Sequence, residues 1–110
     1  MAAHKEGKIE TYFKEQVEAH GGITRKAKWL CRRGCPDQFW SFPVIHYKNP
    51  DPLAGEPYRE AACGFAEIKA PGQPLQAHQD REIGKLKSAG VTVYVIDSRE
   101  AVDAFIRREA

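Results

Sequence analysis

The chain reads as an α/β protein in the order α-β-β-β-α-β-α, built around a four-stranded mixed sheet, and three observations carry that expectation. Apolar Ile9, Tyr12, Phe13 and Val17 recur at the spacing of one helix face. Two runs rich in aromatic and apolar residues, 38–46 and 61–69, flank a segment carrying Pro50, Pro52, Gly55 and Pro57, as the arms of an antiparallel pair flank their connection. Val91-Thr92-Val93-Tyr94-Val95-Ile96 follows Gly90 and lies between two helical stretches, the setting of a strand reached by a helical crossover.

Taken in order, the first helix runs over about residues 5–20 and stops at Gly21-Gly22. Residues 23–30 read as a short first strand, and residues 31–35 as a turn. Residues 38–46 hold Phe39, Trp40, Phe42, Val44 and Ile45, a nearly unbroken apolar run that predicts a strand covered on both faces. Residues 47–60 contain Asn49-Pro50-Asp51-Pro52 and Gly55-Glu56-Pro57 and are expected to be a loop. The strand over 61–69 ends before Pro71-Gly72. A helix over 76–89 turns Ile83 and Leu86 inward, and Gly90 caps it. Strand 91–96 leads to a last helix capped by Asp97 or Ser98, with Asp97 and Glu100 at capping-box spacing.

The 110 residues suffice for one domain spanning 1–110 with one modest core. A hydrophobic fraction of 42% and a charged fraction of 29% are those of an ordinary globular protein. No apolar run approaches a membrane span, and the first residues lack the apolar stretch of a signal peptide, so the cytoplasm is the expected location. The odd count of 3 cysteines fits reduced thiols there. Net charge is only +2, but Arg25, Lys26, Lys28, Arg32 and Arg33 crowd the stretch before Asp37. Such a flank suits a phosphate backbone.

Chemistry concentrates in Pro36-Asp37 and Glu67-Ile68-Lys69. In a strand, Glu67 and Lys69 share a face while Ile68 points to the other. If the strand after Asp37 pairs antiparallel with the one ending at Lys69, all three polar side chains converge. Two carboxylates hold a hard divalent cation through oxygen, and a neighbouring ammonium orients or deprotonates water. Those are the groups that phosphodiester hydrolysis needs. The bland readings are a turn residue for Asp37 and a structural ion pair for Glu67 with Lys69. Three such groups at one point carry excess negative charge, which favours a cation.

Gly34-Cys35-Pro36-Asp37, Ala66-Glu67-Ile68-Lys69-Ala70-Pro71-Gly72, Gln79 and the run from Ala89 to Ser98 together resemble the VRR-NUC nucleases of the PD-(D/E)XK superfamily, small enzymes common in phage genomes. Lys5-Glu6-Gly7-Lys8-Ile9-Glu10 leading to Gly21-Gly22 fits the same family. The resemblance implies the restriction-endonuclease-like fold and a metal-dependent DNA endonuclease. Asp37 and Glu67 would hold Mg²⁺ or Mn²⁺ with the Ile68 carbonyl, and Glu6 would join directly or through water. Lys69 would position the hydrolytic water, and Gln79 would support it. It also implies a homodimer acting on branched, Holliday-junction-like DNA, with no organic cofactor and no membrane partner. Phe39, Trp40, Phe42 and the 47–60 loop offer apolar material for a dimer interface, although a core role for the three aromatics is simpler. That loop, with Tyr47, Lys48, Tyr58 and Arg59, is longer than the turn usual in the family.

Several alternatives stand beside this reading. Glu6 approaches the centre of the apolar helix stripe more closely than Glu10, which is the second choice for the helix ligand. Glu15 and Glu18 face away. Cys31 and Cys35 have a loose zinc-pair spacing, with Cys63 and His46 as completions, but no second tight pair exists. Cys63 reads instead as a small buried hydrophobe. His4, His20 and His78 read as surface residues. A non-catalytic DNA-binding or assembly module of the same fold, or a nuclease acting on RNA, are the rival functions.

Overall fold

In the computed structural model, described over residues 2–29, 33–43, 45–46, 58–59 and 62–110, the apolar stripe of the first segment becomes the buried face of helix α1 (Ala2–Ala19). Ile9, Phe13 and Val17 point inward, while Glu15 and Glu18 are exposed. Strand β1 (Ile23–Lys26) follows, then β2 (Gln38–Phe42), β3 (Ile45–His46), β4 (Tyr58–Arg59), β5 (Ala62–Ile68), α2 (Ala77–Ser88), β6 (Val93–Ile96) and α3 (Arg99–Glu109). The main sheet is ordered β1-β2-β5-β6. Its first two pairings are antiparallel and β5–β6 is parallel, so the expected four-stranded mixed sheet is present.

The strand ends differ from expectation for local reasons. β1 stops at Lys26 rather than residue 30, because after one further bond, Ala27 N to Asp37 O at 2.8 Å, the Trp29 indole turns to donate to the Pro36 carbonyl at 2.7 Å. The expected strand 38–46 is broken at Pro43, which has no N–H to continue a ladder. Its continuation, β3, pairs with β4 in a separate two-stranded ribbon. Tyr58 and Arg59 are therefore strand, not loop; residues 47–57 and 60 lie outside the described residues, as do Cys31 and Arg32. Of the two candidate caps for α3, Ser98 is the one used: its hydroxyl accepts from Ala101 N at 3.1 Å.

The core lies on one face of the sheet under α1 and α3. Trp40, Phe42, Ala66, Ile68 and Ile96 meet Phe13, Val17, Val102 and Phe105 there. The Trp40 and Phe105 rings stand edge to face at 4.9 Å, a favoured aromatic geometry. Trp40 and Phe42 are thus core residues and unavailable to a dimer interface; Phe39 is half-buried. Strand β2 is sealed on the core face and half-covered on the other, where Phe39 and Trp29 pack on Phe65. Cys63 is exposed rather than buried, since Gly64, Ala66 and Ile68 take the inward positions of β5. No helix among the described residues is long and apolar enough to cross a membrane.

Gly64 lets β5 and β6 approach. A Cβ there would press on the Thr92 carbonyl oxygen and lie 2.9 Å from Trp40 Cζ2. Neither the β5–β6 ladder nor the packed indole has room to yield, and such overpacking costs about 1–3 kcal/mol. Gly64→Ala is expected to lower the melting temperature by about 4 °C or more in thermal unfolding followed by circular dichroism.

Candidate active site

The pairing of β2 with β5 sets Gln38 opposite Ala66, so one step further along the same register Asp37 faces Glu67. The backbone of Lys69, just past the end of β5, is still held by its N–H to the Ile96 carbonyl at 2.8 Å. Alternation puts Glu67 and Lys69 on the side away from the core, while the Ile68 side chain is buried in it. Asp37, Glu67 and Lys69 are thereby gathered at one end of the two central strands, as the sequence pattern anticipates.

Helix α2 brings the next group. Gln79 is the third residue of that helix, and its Oε1 accepts from Gln76 N at 3.0 Å, capping the helix start with its own side chain. The same oxygen accepts from Lys69 Nζ at 2.8 Å, and Gln79 Nε2 donates to Glu67 Oε1 at 3.3 Å. Lys69 is only 6% exposed, and a buried ammonium needs such acceptors. Its second neighbour is Glu67 Oε1 at 3.8 Å. The amide therefore sits between the cation and the carboxylate and fixes both.

Gly34 seats the loop before Asp37 against this helix. It has φ +81°, and a Cβ on it would fall 2.5 Å from the His78 carbonyl oxygen and 3.1 Å from Gln79 Cα. Only glycine combines the left-handed backbone with that approach. The loop leading to Asp37 and the helix turn carrying Gln79 are thus in contact through backbone.

On the core side, α1 contributes Glu6 and Glu10 differently. Glu10 accepts from Gln38 Nε2 in a short hydrogen bond and pairs with Lys26 at 3.2 Å and Lys14 at 3.5 Å. Lys26 also reaches Asp37 Oδ2 at 3.4 Å, so one ammonium bridges Glu10 and Asp37. Burial pulls the Lys26 pKa down, but the Glu10 hydrogen bond and the charges of Asp37 and Glu10 more than offset it and hold it above its usual value. Glu6, half-buried, makes itself felt at Glu67 through its charge. Gln38 is a site residue that the sequence motifs do not mark, and Lys26, expected only as part of the basic flank, bridges Glu10 and Asp37. A polar residue in phase with the core-facing Trp40 and Phe42 was the available signal for Gln38, which is fully buried and leaves Oε1 without a hydrogen-bond partner.

The electrostatic result is concentrated on Glu67. Burial, then the charges of Asp37 and Glu6, push its pKa up to about 7, against the partly compensating Lys69 and Lys26. Asp37, Glu67 and Glu6 supply hard oxygen donors of the kind Mg²⁺ and Mn²⁺ take. They are neighbours rather than a closed cage: among the described residues, no three His, Cys, Asp or Glu side chains form a group that could hold a metal as they stand. For the zinc alternative, Cys35 is half-buried and Cys63 exposed, while Cys31 lies outside the described residues.

The fold recurs in known proteins. The chain superposes on a solved structure described as a VRR_NUC domain with a TM-score of 0.74 at 30% sequence identity, covering 96% of this chain and 98% of that one. It is also 30% identical over 100 residues to "Putative nuclease p44" of Acyrthosiphon pisum secondary endosymbiont phage 1, spanning 91% of this chain and 90% of the relative. The chain belongs to the VRR-NUC family of nucleases. No protein-family model matches it. Within this VRR-NUC chain the α/β architecture is the PD-(D/E)XK type, and the residues gathered above lie at the ends of its central strands and the start of α2.

The raised pKa of Glu67 has a sign that can be read in stability. From the ordinary value of 4.5 up to about 7, the folded protein holds this proton more tightly than the unfolded chain does. Stability from this group is therefore present at low pH and lost as pH rises through that window. In EDTA, Glu67→Gln is expected to melt higher than the parent at pH 8, with the gap closing towards pH 5. A Glu67→Gln protein that melts lower at pH 8 would contradict the burial and charge argument.

Proposed function

We propose that this protein is a metal-dependent DNA endonuclease, and that Asp37 and Glu67 are its principal metal ligands. The observation that carries this reading is the gathering of Asp37, Glu67, Lys69 and Gln79 at one end of β2 and β5. The elevated Glu67 pKa supports it: burial first, and then the charges of Asp37 and Glu6, disfavour the bare carboxylate, and a bound cation would relieve both. Glu6 joins the ligand set directly or through water, and the Ile68 carbonyl is the remaining oxygen ligand of the proposal. Bound Mg²⁺ or Mn²⁺ would supply electrostatic stabilisation for the charge that develops on the scissile phosphate.

The chain's own groups do the positioning. Lys69, held by the Gln79 oxygen, directs an N–H towards the attacking water and fixes where it stands. Gln79 keeps Glu67 and Lys69 at fixed separation without adding charge. Lys26 neutralises Asp37 and Glu10 when no other cation does, and it becomes available to a phosphate oxygen once a cation takes Asp37. Exposed Arg25, Lys28 and Arg33 extend the basic flank on which a DNA backbone would lie.

The finer reading is a two-fold dimer that prefers branched DNA. One domain of 110 residues offers a small footprint, and a pair would set two sites against two strands. Light scattering at micromolar concentration, with cleavage of labelled four-way junction, linear duplex and RNA compared at fixed salt, tests it. A monomer that cuts linear duplex as readily as junctions would overturn the branched-DNA reading, and preferred cleavage of RNA would overturn the choice of DNA.

The chemistry is tested by substitution. Asp37→Ala is expected to abolish Mn²⁺-dependent cleavage and weaken Mn²⁺ binding in calorimetry while the fold survives. Lys69→Met is expected to keep Mn²⁺ binding and lose turnover by about 10²–10⁴, the range of a positioned acid–base group. Near-parental cleavage by Asp37→Ala would remove the metal assignment at this site.

A further inference from the structure

Beside Asp37 lies an open groove of about 380 Å³ lined by Lys26, Ala27, Lys28, Trp29, Gly34, Cys35 and Asp37. Its most distinctive wall is Trp29. The indole N–H is fixed to the Pro36 carbonyl at 2.7 Å, and the ring is buttressed by Phe65 with centroids 5.3 Å apart. The side chain is nonetheless only half-buried, and it lies in coil past the end of β1, outside the main core cluster. A half-exposed tryptophan immobilised at both ends is a rigid platform, and the conformational freedom it would otherwise lose on binding is already lost. Lys26 and Lys28 both line the groove, Lys26 shared by Asp37 and Glu10 and Lys28 exposed. The volume is at the small end for ligand pockets, which begin at about 300 Å³. A volume of about 380 Å³ matches one nucleotide rather than a base-paired helix.

Resting on the nuclease reading, we propose that this groove receives one unpaired nucleotide of the DNA strand next to the scissile phosphate. Its base stacks on the Trp29 indole, and its phosphate is held by Lys28, joined by Lys26 once a cation takes Asp37. Every base has a π-face, so the stack favours an unstacked nucleotide without reading its identity. A continuous duplex cannot present such a base without breaking a pair and its stacks. Selection of branched or frayed DNA would then arise within one subunit, from a base that only distorted DNA offers.

The two tryptophans make the test direct, because Trp40 is fully buried and Trp29 is not. In EDTA, where no cleavage occurs, a tetrathymidylate is expected to quench the intrinsic emission of the full-length protein, and a blunt duplex of mixed sequence to quench it far less. Trp29→Leu should retain the circular dichroism spectrum and bind the tetranucleotide about 10-fold or more weakly, as loss of one stacked base implies. Lys28→Glu should weaken it as well and flatten the dependence on salt. If Trp29→Leu fails to fold, Trp29→Phe, which keeps an aromatic face but no N–H, should still bind within a few-fold of the parent while Lys28→Glu does not. Absence of tetrathymidylate binding by the parent, binding without quenching, or parental affinity in Trp29→Leu or Lys28→Glu overturns the groove assignment. These binding results are independent of catalysis: a parent that cleaves with Mn²⁺ but shows any of them loses the groove alone, whereas a parent that cleaves no substrate loses the nuclease reading.

Discussion

The antiparallel register between β2 and β5 positions the polar groups on which the site depends. Side chains alternate along a strand, so a slip of one residue would turn Glu67 and Lys69 into the core and bring Ile68 out. The register is held by what that slip would cost: Trp40, Phe42, Ala66 and Ile68 are all buried on the core face. Apolar packing under α1 and α3 therefore determines which way the acidic and basic groups face on the other side of the sheet. Site geometry and hydrophobic burial are two faces of one pairing.

Upon that frame, short polar contacts set the finer distances. Gln79 serves three neighbours at once: the backbone N–H of Gln76, the Lys69 ammonium and the Glu67 carboxylate. Because the side chain also caps its own helix, its orientation is fixed by local structure before either charged group is considered. Gly34 then ties the loop of Asp37 to that helix turn through backbone alone. Cations complete the balance, with Lys69 buried beside Glu67 and Lys26 shared by Glu10 and Asp37.

Much of this was legible in the sequence because it is written in short-range pattern. Ile9, Phe13 and Val17 announce their helix face, and the alternation of Glu67, Ile68 and Lys69 announces which groups share a side. The strand ends were less legible, since Pro43 breaks one ladder only because of where its missing N–H falls. Cys63 was misjudged because small hydrophobes are usually buried, and its exposure depends on which phase of β5 faces the helices. Gln38, and the place of Lys26 between Glu10 and Asp37, are illegible for a different reason. Their roles come from the meeting of β1, β2 and α1, and neither residue carries a local signature of that meeting. Trp29 is similar: an aromatic near a basic run looks like core until its indole is seen turned to Pro36.

The position of the strands in the sheet has a consequence for how the site comes apart. β5 is interior, bonded to β2 on one side and β6 on the other, whereas β1 is a four-residue edge strand that, among the described residues, bonds only to β2. Edge strands open locally at lower free energy than interior ones. A fluctuation that peels β1 away removes Lys26 from Asp37 and Glu10 while Glu67, Lys69 and Gln79 stay in place. The site thus divides into a permanent half and a half that breathes with the sheet edge, and amide exchange would show β1 opening long before the C-terminal end of β5.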